Sequence, residues 1–171
     1  MPSASNSTAA VSDPAAAVSD TAPMALAIAA SAAALEAGDM PFGATLVSPA
    51  GEVLLVARNN QVSTQDCTGH AELVLVRQAA GSLGPDSLRG ATVYASGEPC
   101  AMCCGAMFWA GIGRVVYAAS TADIAQALGG PLLPLDSRSV LAGASPAVEV
   151  QGPVMGAEAI AVLQRFASTP R

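Results

Sequence analysis

Apolar spacing divides the chain into short, alternating segments. Met24 to Leu35 is nearly unbroken, with Met24, Leu26, Ile28 and Leu35 set among alanines. Pro23 at a starting position and Gly38 at a stopping position make this a largely buried helix. Thr45 to Ser48, a Ser48-Pro49-Ala50-Gly51 turn and the run Glu52 to Arg58 predict a β-hairpin. Asn59 to Gly69 is polar and irregular. A helix is predicted from His70 to about Ala80, with Leu73, Leu75, Val76 and Ala79 as its apolar positions. After a loop from Gly81 to Gly90, Ala91 to Ala95 reads as a strand and Cys100 to about Ala110 as a helix. Val115 to Ala118 predicts a strand and Thr121 to Leu128 a helix. A loop-rich stretch from Gly129 to Ser145 precedes a short strand at Val148 to Val150, and a closing helix spans Gly156 to Ala167. Strands alternating with helices imply an α/β fold, a three-layer α/β/α sandwich around a mixed, mostly parallel five-stranded sheet.

Composition narrows this picture. The 171 residues fit one domain, and 52% are hydrophobic against 12% charged, enough to bury a sizeable core even though alanine makes up much of the apolar count. Residues 1–22 are rich in Ser, Ala, Thr and Pro and read as a disordered tail, which leaves 23–171 as the folded domain. Seven arginines, no lysine and thirteen acids give a net charge of −6, so polyanion binding has no strong electrostatic support. The first basic residue is Arg58, so the N-terminal stretch lacks the positive region of a secretory signal. The run from Met24 to Leu35 is too short to span a membrane. A reduced, cytoplasmic protein is the expectation.

The candidate chemistry lies in two segments. His70-Ala71-Glu72 spells H-x-E, and Pro99-Cys100-Ala101-Met102-Cys103 spells P-C-x-x-C. His70 is the single histidine, and Cys100, Cys103, Cys104 and Cys67 are the four cysteines. Each fragment has a plain reading alone: a lone histidine is usually a satisfied polar residue, and C-x-x-C serves redox pairs and structural zinc sites. Together they form the signature of zinc-dependent nucleobase deaminases. Zn2+ accepts imidazole nitrogen and thiolate sulfur in a tetrahedron, and three protein ligands (His70, Cys100, Cys103) leave one corner for water. Glu72 is then free to carry protons as general acid/base. Both cysteines fall at or near the start of a helix, where the dipole favours thiolate. Cys104 and Cys67 read as ordinary small residues.

From about Met40 to Asp123 the chain resembles the cytidine-deaminase-like superfamily, and within it the guanine deaminases. Pro41-Phe42-Gly43-Ala44 is similar to a family segment whose Phe stacks on the purine, which implies that role for Phe42. Asn59-Asn60, eleven residues before His70, resembles the family's N-N and implies that Asn59 hydrogen-bonds the base, with backbone near Ala71. Gly105 to Ala110 resembles a segment that would set Trp109 at the pocket wall. Tyr117-Ala118-Ala119 followed by Asp123 resembles the spacing to a second acid that assists proton transfer. The plain alternatives are a core aromatic for Phe42, a turn residue for Asn59, a core residue for Trp109 and a helix cap for Asp123. The chain departs from the family at Cys67 and Gly69, where Pro and Ala are commoner, and in a C-terminal tail whose one aromatic is Phe166. Beyond Gly129 it does not follow the family pattern.

The resemblance implies hydrolytic deamination of guanine to xanthine and ammonia. It also implies a small nucleobase substrate and a homodimer with exchange of C-terminal segments. The alternatives are deamination of another small heterocycle or nucleoside, a tRNA adenosine deaminase, which the acidic balance and Phe42 disfavour, and a zinc-stabilised scaffold without turnover.

Overall fold

A computed structural model describes residues 19–130 and 133–169. The elements run α1 (Thr21–Glu36), β1 (Gly43–Val47), β2 (Val53–Arg58), α2 (Gln61–Thr64) and α3 (Ala71–Ser82). A 3₁₀ turn (Pro85–Leu88) leads to β3 (Thr92–Gly97), α4 (Ala101–Ala110), β4 (Arg114–Ala119), α5 (Thr121–Leu128), α6 (Ser137–Leu141), β5 (Glu149–Gln151) and α7 (Gly156–Ala167). The sheet order is β2-β1-β3-β4-β5. β1 is antiparallel to both neighbours, while β3, β4 and β5 are parallel, so β1 alone runs against the other four strands.

That single reversal builds the site. The carboxyl ends of β2, β3 and β4 meet at one edge of the sheet, where ligands of open α/β sheets gather. Because Gly43 pairs with Arg58, the start of β1 reaches the same edge and brings Phe42 with it. Each strand alternates its faces. Ala44, Leu46, Val93 and Val115 pack with α3 and α4 through Leu75, Cys103 and Met107. Val47, Tyr94 and Val116 pack with α1 and α7 through Met24, Ala27, Ala159 and Leu163. Fully burying a side chain such as Leu46 or Leu75 contributes roughly 1.5–3 kcal/mol. α1 lies so close to β1 that a Cβ on Gly43 would collide with the Ala27 carbonyl and the Ser31 backbone nitrogen.

The tail expectation covered residues 1–22. Residues 1–18 lie outside the described residues, but the fold begins before Pro23. α1 starts at Thr21, with Pro23 in its first turn, where no backbone N–H is needed. Asp20 accepts hydrogen bonds from Tyr94 Oη at 2.7 Å and from Arg114 Nη1 and Nη2 at 2.8 Å each. α7 packs on α5, β4 and α1 of its own chain. Among the described residues no helix is long and apolar enough to cross a membrane.

Candidate metal and deaminase site

Two helix starts supply the metal ligands. His70 and Cys100 are extended residues at the N-caps of α3 and α4, and Cys103 lies one turn into α4. His70 Nδ1 is 3.6 Å from both Cys100 Sγ and Cys103 Sγ, and the two sulfurs are 3.7 Å apart. A tetrahedral zinc with bonds of about 2.3 Å to sulfur and about 2.0–2.1 Å to nitrogen needs S–S and S–N edges of about 3.8 and 3.6 Å. The triangle of donor atoms therefore has the dimensions zinc requires, with Nδ1 as the histidine donor.

The three groups share their protons unequally: Cys100 is held as thiolate, while the hydrogen bond to Cys100 and then burial push the Cys103 thiol up. Donation from the Cys103 thiol, and then from His70, holds Cys100 down at about 4 against the cost of burial. The hydrogen bond to Cys100 raises His70, opposed by burial. Cys104 is different. It is buried, donates to the Pro99 carbonyl at 3.4 Å, and burial pushes it up to about 12, so it stays a packed thiol. Cys67 is exposed.

Glu72, 6% exposed, sits in the first turn of α3, with Oε2 3.4 Å from Cys103 Sγ. Burial raises its pKa. A carboxyl beside the metal ligands and held toward protonation has the properties of a proton carrier.

Above these groups lies a cavity of about 600 Å³, within the usual range for small-molecule sites. Its inner part is lined by Asn59, Gln61, His70, Glu72 and Cys100, and Phe42 forms one wall. The Phe42 ring rests on the backbone of Gly97, where a Cβ would lie 2.8 Å from Phe42 Cε1 and 3.0 Å from Ile124 Cδ1. Leu128, Leu135 and Phe166 line the outer part, so the C-terminal helix contributes to the wall from within the same chain. Among the described residues no arginine lines the cavity.

Asn59 is 1% exposed, and its orientation is determined by its partners. The Gln61 backbone N–H donates to Asn59 Oδ1 at 2.9 Å, which identifies that atom as oxygen. Asn59 Nδ2 donates to Gln61 Oε1 at 2.7 Å, and Gln61 Nε2 donates to the Cys67 carbonyl at 3.3 Å. One amide hydrogen of Asn59 remains for a ligand. Asp39 secures the start of α2 by accepting from Val62 N, Ser63 N, Ser63 Oγ and Arg58 Nη1. Gly69 also has a local reason: a Cβ there would lie 2.5 Å from Asn60 Oδ1 and 2.9 Å from Gln61 N, so the commoner alanine does not fit this turn.

Two expected site residues lie elsewhere. Trp109 is 85% exposed and not at the cavity wall. Cys103, Cys104 and Met107 face inward on α4, and Trp109 projects away from them, edge-on to Phe108 at 5.1 Å. Asp123 does not line the cavity either. Its carboxylate accepts from Ser120 N at 2.9 Å and Ser120 Oγ at 2.6 Å, while Ser120 Oγ accepts from Asp123 N, forming a capping box on α5. Those bonds hold its pKa down. Ala71 is fully buried at the first position of α3 and is not among the lining residues; it can offer only backbone. Gln61 went unnoticed in the sequence because it carries no motif of its own. Glu98 was visible only as the residue ahead of Pro99.

The chain matches the cytidine and deoxycytidylate deaminase zinc-binding region over residues 18–119. It is 39% identical over 140 residues to a probable cytosine deaminase of Schizosaccharomyces pombe, covering 78% of this chain and 83% of that protein. It is 41% identical over 87 residues to the guanine deaminase of Bacillus subtilis, covering 51% of this chain and 55% of the relative. A solved structure from work on A-to-I editing by tRNA:A34 deaminases superposes with a TM-score of 0.55 at 38% identity, covering 58% of this chain and 76% of that one. The zinc-sized donor triangle and the span of these matches agree: the chain belongs to the cytidine and deoxycytidylate deaminase family, and His70, Cys100 and Cys103 are grouped so that they could hold its zinc.

Proposed function

We propose that this deaminase acts on an amino-purine base, converting guanine and water to xanthine and ammonia. The observation that carries the reading is the pairing of Phe42, a ring wall seated on Gly97, with Asn59, whose free amide hydrogen is aimed by Gln61. A flat bicyclic base fits against the first and presents an acceptor to the second. Zinc on His70, Cys100 and Cys103 supplies a Lewis acid that lowers the pKa of a water toward about 7. Glu72 takes the proton of the attacking water and gives it to the ring nitrogen beside C2. It then takes the remaining proton of the added hydroxyl and delivers it to the amine as the C2–N bond breaks and the C2 carbonyl forms, so one carboxyl serves both transfers. Asp123 is tied up in its cap and has no part in this scheme.

A second reading, cytosine or another small amino-heterocycle, is favoured by the fission-yeast relative, of which the chain spans 83%. A tRNA substrate is disfavoured by the net charge of −6 and by a cavity lining that, among the described residues, includes no arginine. The reading includes a homodimer, checked by sedimentation equilibrium. The deciding experiment is ammonia release by the zinc-loaded protein from guanine, guanosine, cytosine, isocytosine and adenine. Guanine is expected to give the highest kcat/KM. A preference for cytosine would replace the first reading with the second, and Phe42→Ala is expected to raise KM for guanine about tenfold or more.

A further inference from the structure

Glu98 is a buried carboxylate that the reaction does not use. It is 9% exposed and stands two residues before Cys100, at the end of β3. Its Oε2 accepts from Thr121 N at 2.8 Å and Thr121 Oγ1 at 2.9 Å. Its Oε1 accepts from Ser137 N at 3.0 Å and Ser137 Oγ at 2.6 Å. Thr121 and Ser137 are the first residues of α5 and α6. In each helix the N-cap side chain, Ser120 or Asp136, already bonds the N–H three residues further on, at Asp123 or Ser139. The N–H groups at the helix starts would otherwise lack acceptors, and one carboxylate takes both. All four acceptor positions of Glu98 are thereby filled. It cannot ligate the metal or carry protons without releasing both helices.

The consequence is felt across the cavity. Thr121, Ile124, Ala125 and Leu128 recur at helical spacing and turn one face of α5 to the cavity. Ile124 and Phe42 both lie against Gly97, so the position of α5 fixes how the ring wall is supported.

We propose that Glu98 is a positioning residue for substrate, clamping α5 and α6 to the metal-bearing turn and so fixing where Ile124 backs the Phe42 ring wall. This rests on the proposal that the cavity binds a planar base. The clamp acts on binding, not on proton transfer, so its removal separates KM from kcat. Glu98→Gln keeps the shape but replaces one acceptor oxygen by a donor that faces other donors.

The test is a double-mutant cycle of Glu98→Gln and Ser137→Ala on the zinc-loaded protein; Ser137 lies outside the cavity lining. Glu98→Gln is expected to raise KM about tenfold or more, with kcat within about threefold and one zinc per chain retained. Ser137→Ala is expected to raise KM severalfold, and the double variant to be no worse than about twice Glu98→Gln alone, because both remove one clamp. Unchanged KM in both single variants overturns the proposal, as does additivity. A fall in kcat together with loss of zinc also overturns it, since Glu98 would then support the metal turn. Should the wild-type protein release ammonia from none of the bases, the functional reading fails on its own. The clamp is then read by hydrogen exchange: faster exchange at the starts of both α5 and α6 in Glu98→Gln supports it, and unchanged exchange overturns it.

Discussion

Polar side chains gather at two opposite ends of the sheet, half-buried at one and largely buried at the other, and they are arranged on different principles. At the amino ends of β3 to β5, Asp20 receives both nitrogens of Arg114 at 2.8 Å, Tyr94 Oη at 2.7 Å and Gln151 Nε2 at 3.2 Å. Charge meets opposite charge within the chain, and every partner has a partner. At the carboxyl ends, His70, Cys100 and Cys103 turn their donor atoms toward one another at 3.6–3.7 Å beside the buried Glu72, and no arginine among the described residues lines that cavity. The first cluster pairs its charges within the chain and contributes stability. The second groups donor atoms of the kind and spacing that could hold a metal ion.

Substitutions can break this contrast or sharpen it. The largest effect is expected at the metal end: His70→Ala or Cys100→Ala should lose the zinc and all measurable turnover, read by elemental analysis and ammonia release. Glu72→Gln should keep one zinc per chain and lose turnover by about 10³-fold or more; a fall of less than tenfold would remove Glu72 from its proposed role. At the other end, Asp20→Ala should leave kcat and KM within about twofold but cost about 2 kcal/mol, because it strands Arg114 and Tyr94. Urea unfolding measures this. Its pH dependence has a definite sign. Arg114, against the cost of burial, holds the Asp20 carboxyl below its ordinary 3.8. The stability it contributes is therefore complete above that value and lost as pH falls through the lower folded value. The wild-type protein should lose stability more steeply than Asp20→Ala below about pH 4. The smallest effect is expected at Asp123: Asp123→Asn should cost about 1 kcal/mol as a weakened cap and leave kcat within about twofold. A drop in kcat of a hundredfold would return Asp123 to the proton-transfer pathway.

What could be read from the sequence follows the same division. α5 and α7 lie where the apolar spacing put them, residue for residue, because Ser120-x-x-Asp123 and Gly156 mark their starts. The grouping of His70, Cys100 and Cys103 was legible because metal coordination fixes residue type and spacing together. Phe42 and Asn59 reach the cavity through the reversed strand β1 and the end of β2. Trp109 was misplaced because helix phase, not residue type, decides which way a side chain on α4 faces. Asp123 was ambiguous from the outset: one residue at the third position of a helix serves equally as a cap or as an acid, and Ser120 decides for the cap. The two-residue error at the start of α1 has a similar cause. Asp20 stands at a helix start but uses its carboxylate on Arg114, 94 residues away, and no local pattern announces such a partner. Glu98 is the strongest instance, since Thr121 and Ser137 become its partners only through the topology of the sheet.

The central claim is that His70, Cys100 and Cys103 hold the one metal on which deamination depends. It is tested most directly by stripping the protein with a chelator and titrating zinc back while following ammonia release from guanine and cytosine. The account predicts that activity is absent without metal, rises linearly and saturates at one zinc per chain. Full turnover by protein shown to be metal-free would contradict it.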